Sequence, residues 1–205
     1  MSDIFKLGTI LALVTVTAAF VLAEIYGVTK PRIELQKHAK TLAALEYVIP
    51  QAQIIEPVSQ KVAVKDKKGN TLYQRDEIIY YKAFSDKERS KIVGYAFKAL
   101  GNGYTSGSPI ETVVGVDSTG KIIKIKIVSQ RETPGLGALC EENGEFDGKK
   151  WSTEQFNSKT KENLNVDKDG GDIVSITGAT ITSRAITNSI REKLNELLLE
   201  IKDNS

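Results

Sequence analysis

Apolar residues form an unbroken block near the N-terminus, alternate with polar ones through the middle of the chain, and recur at helical spacing near its C-terminal end. Residues 7–23 contain no charged side chain, and residues 25–28 extend the block past Glu24. That length just spans a hydrocarbon core of ~30 Å. A cleavable signal sequence is one rival, since Val21-Leu22-Ala23 resembles a cleavage site; a buried helix of a soluble domain is another. The block exceeds a usual signal h-region, and only Lys6 makes the preceding segment basic, which favours a retained anchor.

Beyond the block the pattern changes. Pro31 suits a first helical position, and Leu35, Ala39, Leu42 and Leu45 share one face. They predict a membrane-proximal helix over 31–48, its exit bracketed by Pro50 and Pro57. Residues 62–64 and 71–73 flank Asp66-Lys67-Lys68-Gly69-Asn70 and predict a hairpin with a Gly-Asn turn. Strands are expected at 78–84 and 92–100, with a charged loop at 88–90 between them. The clearest hairpin pairs 113–116 with 122–128 across Asp117-Ser118-Thr119-Gly120. In its second arm Ile123, Ile125 and Ile127 alternate with Lys124 and Lys126, the period of a strand with one buried and one solvated face. The lysines are accordingly assigned to solvent.

Further on, Pro134-Gly135 fits a type II turn set at a strand end. Trp151 and Phe156 precede a polar stretch, 157–171, that reads as a surface loop. Residues 172–177 read as the end of a buried strand. After them Ile186, Ile190, Leu194, Leu197, Leu198 and Ile201 mark a helix. The expected fold is α+β: a twisted, mostly antiparallel sheet with the C-terminal helix packed on it, preceded by one N-terminal transmembrane helix. The expected divisions are an anchor at 1–30, a stalk helix and linker at 31–57, and a folded domain at 58–205.

Composition works mainly by exclusion. A chain of 205 residues holds one ordinary domain plus an anchor. A net charge of +2 gives no reason to expect a nucleic-acid partner, which calls for a concentrated basic face. One Cys and one His leave no zinc pattern and no internal disulfide, and no metal site is expected. Cys140 reads as a small packed residue and His38 as a polar-face helix residue. No Ser has a His partner near the motifs, so no hydrolase and no catalytic residue is assigned. Lys30, Arg32, Lys37 and Lys40 follow the apolar block, and this bias alone places the bulk of the chain in the cytoplasm.

The most informative stretch is residues 175–183, Ser-Ile-Thr-Gly-Ala-Thr-Ile-Thr-Ser. It lies between the expected strand and the helix, with Thr180 or Thr182 near the helix N-cap. Free backbone N–H groups there favour an anion such as a phosphate, and Gly178 lets the backbone approach a ligand. Ordinary capping by Thr and Ser explains the same residues. Spacing alone leaves both readings open.

Thr177-Gly178-Ala179-Thr180, followed by Ile181-Thr182-Ser183, resembles the flavinylation motif of the FMN-binding domain family. That domain occurs in the G subunit of the Rnf electron-transport complex and in the C subunit of the sodium-translocating NADH:quinone reductase. Glu132-Thr133-Pro134-Gly135-Leu136-Gly137 resembles the family's loop near the flavin. Gly103-Tyr104, with Gly107, Pro109 and Ile110 leading into Val113-Val114-Gly115-Val116-Asp117, resembles the domain's opening segment. The resemblance spans roughly residues 94–200, and the short anchored chain fits the Rnf protein better than its longer relative. Val174 stands where the family usually carries Asp, three residues before the motif.

The resemblance implies covalently bound FMN, esterified through its phosphate to Thr180. Thr177, Gly178, Ala179 and Thr182 would surround the attachment, and Glu132, Thr133, Gly135, Leu136, Gly137 and Tyr104 would lie near the ring. It implies a flavin transferase during maturation, the membrane and peripheral subunits of an Rnf-type complex as partners, and lipid around the anchor. The implied role is electron relay in an ion-translocating ferredoxin:NAD oxidoreductase. The flavin domain would lie on the extracytoplasmic side of the cytoplasmic membrane, against the charge bias. The alternatives are a stand-alone extracytoplasmic flavin carrier and a non-redox anchored binding or scaffold module whose Thr-Gly-Ala-Thr is only a helix cap.

Overall fold

The computed structural model describes residues 3–65, 71–141, 145–146 and 149–203. The chain divides into the units Met1–Lys40 and Thr41–Ser205. Helix α1, Asp3–Val48, supplies all the described structure of the first unit and is long and apolar enough to cross a membrane. Leu11, Val14, Phe20 and Leu22 are exposed along it. The hydroxyls of Thr9 and Thr17 donate to the carbonyls of Phe5 and Leu13, one turn back. A helix in hydrocarbon needs its donors satisfied internally in this way.

Pro31 does not open a second helix but lies inside α1. It removes one backbone donor without ending the helix, and next to it the Thr29 hydroxyl donates back to the Ile25 carbonyl at 2.8 Å. Of the face expected at Leu35, Ala39, Leu42 and Leu45, only Leu45 is buried.

The second unit is built on a sheet of order β1-β2-β3-β4-β5, every neighbouring pair antiparallel. The strands are β1 (Ile54–Lys65), β2 (Thr71–Phe84), β3 (Ile92–Gly101), β4 (Ile110–Asp117) and β5 (Ile122–Ser129). The arms expected at 62–64 and 71–73 pair as Val64 with Tyr73 and Val62 with Arg75. Their expected Gly-Asn turn lies outside the described residues. Both arms are longer than the alternation indicated: β2 runs unbroken into the strand expected at 78–84. Pro57 falls inside β1, where an edge strand tolerates a missing N–H. The β4–β5 hairpin forms across the expected turn, but a register shift beside Val116 puts Ile122 rather than Ile123 in the α3-side core with Ile125 and Ile127, and Ile123 packs with the opposite cluster. Asp117 Oδ1 closes its turn by accepting the N–H groups of Thr119 at 2.8 Å and Lys121 at 3.0 Å.

Helix α3 (Thr180–Asp203) lays Ile186, Ile190, Leu194 and Leu197 into a core with Phe97, Ile110, Val114 and Ile125. The opposite side of the sheet is covered too. Ala44, Leu45, Val48 and Ile49 pack there with Ala83, Ala96 and Val113. This second layer overturns the assignment of Lys124 and Lys126 to a solvated face. Both are only half-exposed, and each ammonium sits 5.0 Å from the centre of the Tyr47 ring.

Two further expectations are corrected. The stretch 157–171 is no free surface loop. Leu164 and Val166 are buried within it, and Ile122 exchanges backbone hydrogen bonds with Ser158 and Lys159. Nor do residues 172–177 form a strand: Ile173 makes a single parallel bridge with Val166. Side chains take several of its other backbone groups. The Val174 N–H donates to Gln155 Oε1 and the Ser175 N–H to Asp167 Oδ1, while the Val174 carbonyl accepts the Trp151 indole N–H at 2.6 Å. Trp151 opens the short helix α2 (Trp151–Glu154) and is fully buried against Phe156.

Candidate functional site

The sequence motifs meet at the N-terminal end of α3. Tyr104 comes from the β3–β4 loop, Glu132 and Thr133 from the segment after β5, and Gly178 and Ala179 from the turn before α3. With Leu136, Gly137, Thr180, Ile181 and Thr182 they line a cleft of about 590 Å³. That volume lies within the range of small-molecule sites. Thr177 and Gly135 stand beside this lining rather than in it. Ile181, half-exposed, lines the cleft although the motif singles out only the residues around it.

Glu132 ties these segments together. Its buried carboxylate accepts the N–H of Tyr104 at 3.2 Å, the N–H of Thr105 at 3.1 Å, and the hydroxyl of Thr182 in a short hydrogen bond. Its own N–H donates to Gln130 Oε1 at 2.6 Å. Burial pushes the carboxyl upward. The hydrogen bonds from Thr182, Thr105 and Tyr104 outweigh burial and hold it below the usual carboxylate range. So Glu132 orders the cleft wall, and its oxygens are engaged with this chain's own donors.

The loop that carries Glu132 folds as expected. The Leu136 N–H donates to the Thr133 carbonyl at 3.1 Å across Pro134-Gly135, with Gly135 at φ +76° as a type II turn requires. The chain then passes so close to the wall that Gly137 has no room for a side chain. A Cβ there would lie 2.7 Å from both Glu132 Cβ and Thr182 Oγ1. Just beyond, Cys140 is fully buried, as expected. Burial first, and then the charges of Glu141 and Glu132, push its thiol up to about 12.

At the start of α3 the hydroxyls divide their work. Gly178 takes φ +76°, a conformation costly for a residue with a Cβ. Ser183, not Thr180 or Thr182, makes the local hydrogen bonds. It accepts the Ile176 N–H at 3.0 Å and donates to the Ala179 carbonyl at 3.1 Å. Thr182 is buried and turned to Glu132. The half-exposed Thr180 hydroxyl has no hydrogen-bond partner among the described residues. A helix start carries N–H groups without intrahelical acceptors, and the dipole of α3 favours negative charge there. The cleft thus offers an unengaged hydroxyl and an anion-favouring helix end beside exposed apolar surface on Tyr104, Leu136 and Ile181.

The loop behind the motif is held by ion pairs. Arg184 binds Asp169 through two hydrogen bonds, at 2.7 and 2.6 Å, and Lys159 binds Asp172 at 2.7 Å. Val174, at the place of the family's Asp, is half-exposed and is held by its backbone. Among the described residues, no group of His, Cys, Asp and Glu is arranged to hold a metal ion.

Residues 103–195 match the family described as FMN-binding domain, and residues 1–48 match the RnfG N-terminal region. Among similar proteins, the G subunit of a Na(+)-translocating ferredoxin:NAD(+) oxidoreductase complex from Acetobacterium woodii is 33% identical over 193 residues, covering 91% of this chain and 88% of the relative. The G subunit of an ion-translocating oxidoreductase complex from Pasteurella multocida is 31% identical, covering 94% and 92% respectively. The G subunit of a proton-translocating ferredoxin:NAD(+) oxidoreductase complex from Clostridium ljungdahlii is 30% identical over 200 residues, covering 96% and 92%.

Proposed function

The chain belongs to the G-subunit family of ion-translocating oxidoreductase complexes, and from that premise we propose that it is the membrane-anchored electron-relay subunit of an Rnf-type ferredoxin:NAD oxidoreductase, with FMN esterified to Thr180. The other subunits of that complex are its partners. One observation carries the reading: sequence-distant segments converge on a single cleft at the start of α3, where the Thr180 hydroxyl has no hydrogen-bond partner among the described residues.

Bound FMN supplies reversible electron transfer. The protein holds it, orients it and sets its surroundings. Thr180 provides the oxygen that joins the phosphate, with loss of one water relative to free FMN. The backbone N–H groups opening α3 would favour the remaining phosphate charge. Leu136 and Ile181 offer apolar contact, and Tyr104 an exposed aromatic face at the mouth of the cleft. Glu132 fixes the wall to which Tyr104 and Thr182 belong. Thr177, Gly178, Ala179, Thr133, Gly135 and Gly137 shape the turns that bring these groups together. Attachment is completed by a flavin transferase that reads the 177–180 motif.

In this reading residues 1–30 cross the cytoplasmic membrane and 58–205 carry the flavin on the extracytoplasmic side, while the stalk and linker at 31–57 run into the folded unit, where residues 44–49 pack on the sheet and β1 starts at Ile54. A tether suits that side, where a dissociated cofactor is lost. Intact mass of the native chain, followed by mapping of the peptide across residues 172–184, tests the attachment. The expected result is one added FMN less one water, on Thr180. An unmodified peptide from a host that has the transferase refutes covalent attachment. Protease added to intact spheroplasts should digest the folded domain; full protection would reverse the assigned orientation.

A further inference from the structure

Strand β2 is longer than its partner on the inner side. It pairs with β1 from Thr71 to Phe84, but with β3 only from Tyr81 to Phe84. Past Ala96, β3 continues to Gly101 against β4 alone. A β-bulge leaves Ile79 of β2 as the extra residue opposite Val58 and Ser59, just where β2 and β3 part. Bulges bend a strand and increase its twist. Between the diverging edges opens a second cleft, of about 410 Å³, walled by Ile78 and Ile79 on β2 and by Ala99 and Leu100 on β3, with α3 along its floor.

Residues 71–80 therefore present a backbone edge that β3 does not reach. At ~3.4 Å per residue that edge is about 34 Å long, well beyond a usual strand. Folded proteins normally blunt or cover such an edge, and a ribbon of two strands alone is marginal in water. Here Leu72, Tyr73 and Ile78 are 63%, 58% and 49% exposed along it.

We propose that this edge of β2 receives an extended segment of a neighbouring subunit of the complex, which pairs along residues 71–80 as an added strand. The occupant is polypeptide because a row of free N–H and C=O groups is complementary to another such row. Its charge follows from the cleft. Glu77 is paired with Arg75, Lys98 with Glu111 and Lys193 with Glu196, while Glu192 has no ion pair among the described residues. The incoming segment thus carries Lys or Arg toward Glu192 and apolar residues toward Ile78 and Leu100. The inference takes from the proposed function only the existence of neighbouring subunits; it does not use the flavin.

Amide hydrogen exchange of the full chain, alone in detergent and in the purified complex, tests this pairing. Exchange across residues 71–80 should slow at least tenfold in the complex. No slowing there overturns the proposal. Concentration-dependent slowing in the isolated chain also overturns it, because the occupant would then be a second copy. The double variant Leu72→Lys, Ile78→Lys should keep its flavin and its buried Trp151 fluorescence yet fall at least fivefold in retention within the complex; unchanged retention counts against the pairing. Flavin content measured on the same samples separates the two readings, since protection without flavin would remove the cofactor proposal alone.

Discussion

Replacing Glu132 by Gln should loosen the whole cleft at almost no change in size. The carboxylate accepts from Tyr104 and Thr105 N–H groups and from the Thr182 hydroxyl. An amide offers one acceptor oxygen and turns an NH₂ donor toward the rest. If its oxygen takes the place of Oε2, the Thr105 N–H loses its acceptor; if it takes the place of Oε1, Tyr104 and Thr182 lose theirs. Hydrogen bonds to a charged group contribute about 1.5–3 kcal/mol each, and a stranded buried donor adds its own desolvation cost. Losing one such bond and weakening the others destabilises the domain by roughly 3 kcal/mol. For a domain of this size that is a drop of roughly 6–12 °C in Tm. The single tryptophan, Trp151, is fully buried and reports unfolding of the full chain in detergent.

The pH dependence separates loss of the charge from a mere change in packing. In the folded state the Glu132 carboxyl titrates below its usual range. Its stabilisation is then fully present above the unfolded value of about 4.3 and is lost as pH falls through the lower folded value. Glu132→Gln has no such group to titrate. The gap in stability between the two proteins should therefore be constant near neutral pH and narrow below about pH 4.5. A gap under about 1 kcal/mol at pH 7, or one that widens in acid, would refute the role assigned to this carboxylate.

The other predictions concern neighbouring residues. Thr180→Ala should lose covalent FMN by mass spectrometry and change stability by less than about 1 kcal/mol, since the hydroxyl has no hydrogen-bond partner among the described residues. Thr177→Ala should keep the flavin at unchanged stability, whereas Thr182→Ala should keep it but cost about 1–3 kcal/mol through the bond to Glu132, read by urea unfolding. Gly137→Ala should destabilise by about 1–3 kcal/mol in the same assay, because its Cβ would meet Glu132 and Thr182 at 2.7 Å. Cys140 should resist iodoacetamide at pH 8 in the folded protein and react on unfolding, since its thiol is buried and titrates at about 12.

Local pattern is a good guide where one element decides its own form. The β4–β5 hairpin follows from alternation and an Asp-Ser-Thr-Gly turn, and α3 from the spacing of Ile186, Ile190, Leu194 and Leu197. Pattern fails where a distant segment decides. Lys124 and Lys126 alternate with isoleucines, but alternation cannot report that Tyr47, far away in sequence, lies beside them on the other face. The segment 172–177 is apolar enough for a strand, yet Gln155 and Asp167 take its N–H groups in place of a neighbouring strand. Glu132 stands out through its motif, while its role as a tie between the β3–β4 loop and α3 depends on contacts that no spacing encodes.

The same geometry explains why two threonines only two positions apart have different tasks. At 3.6 residues per turn, Thr180 and Thr182 point about 160° apart around α3. Thr182 faces inward, where its hydroxyl completes the hydrogen bonding of a buried carboxylate. Thr180 lines the same cleft but points away from that contact, and its hydroxyl has no hydrogen-bond partner among the described residues. The inner residue anchors the first turn of the helix, and that anchoring keeps the outer hydroxyl in a fixed position at the end where α3 favours an anion. Exchanging the two roles would require turning the helix by almost half a revolution, which would carry Ile186 and Ile190 out of the core. The orientation of the Thr180 hydroxyl, the proposed attachment point, is thus set by the same apolar face that packs the helix on the sheet.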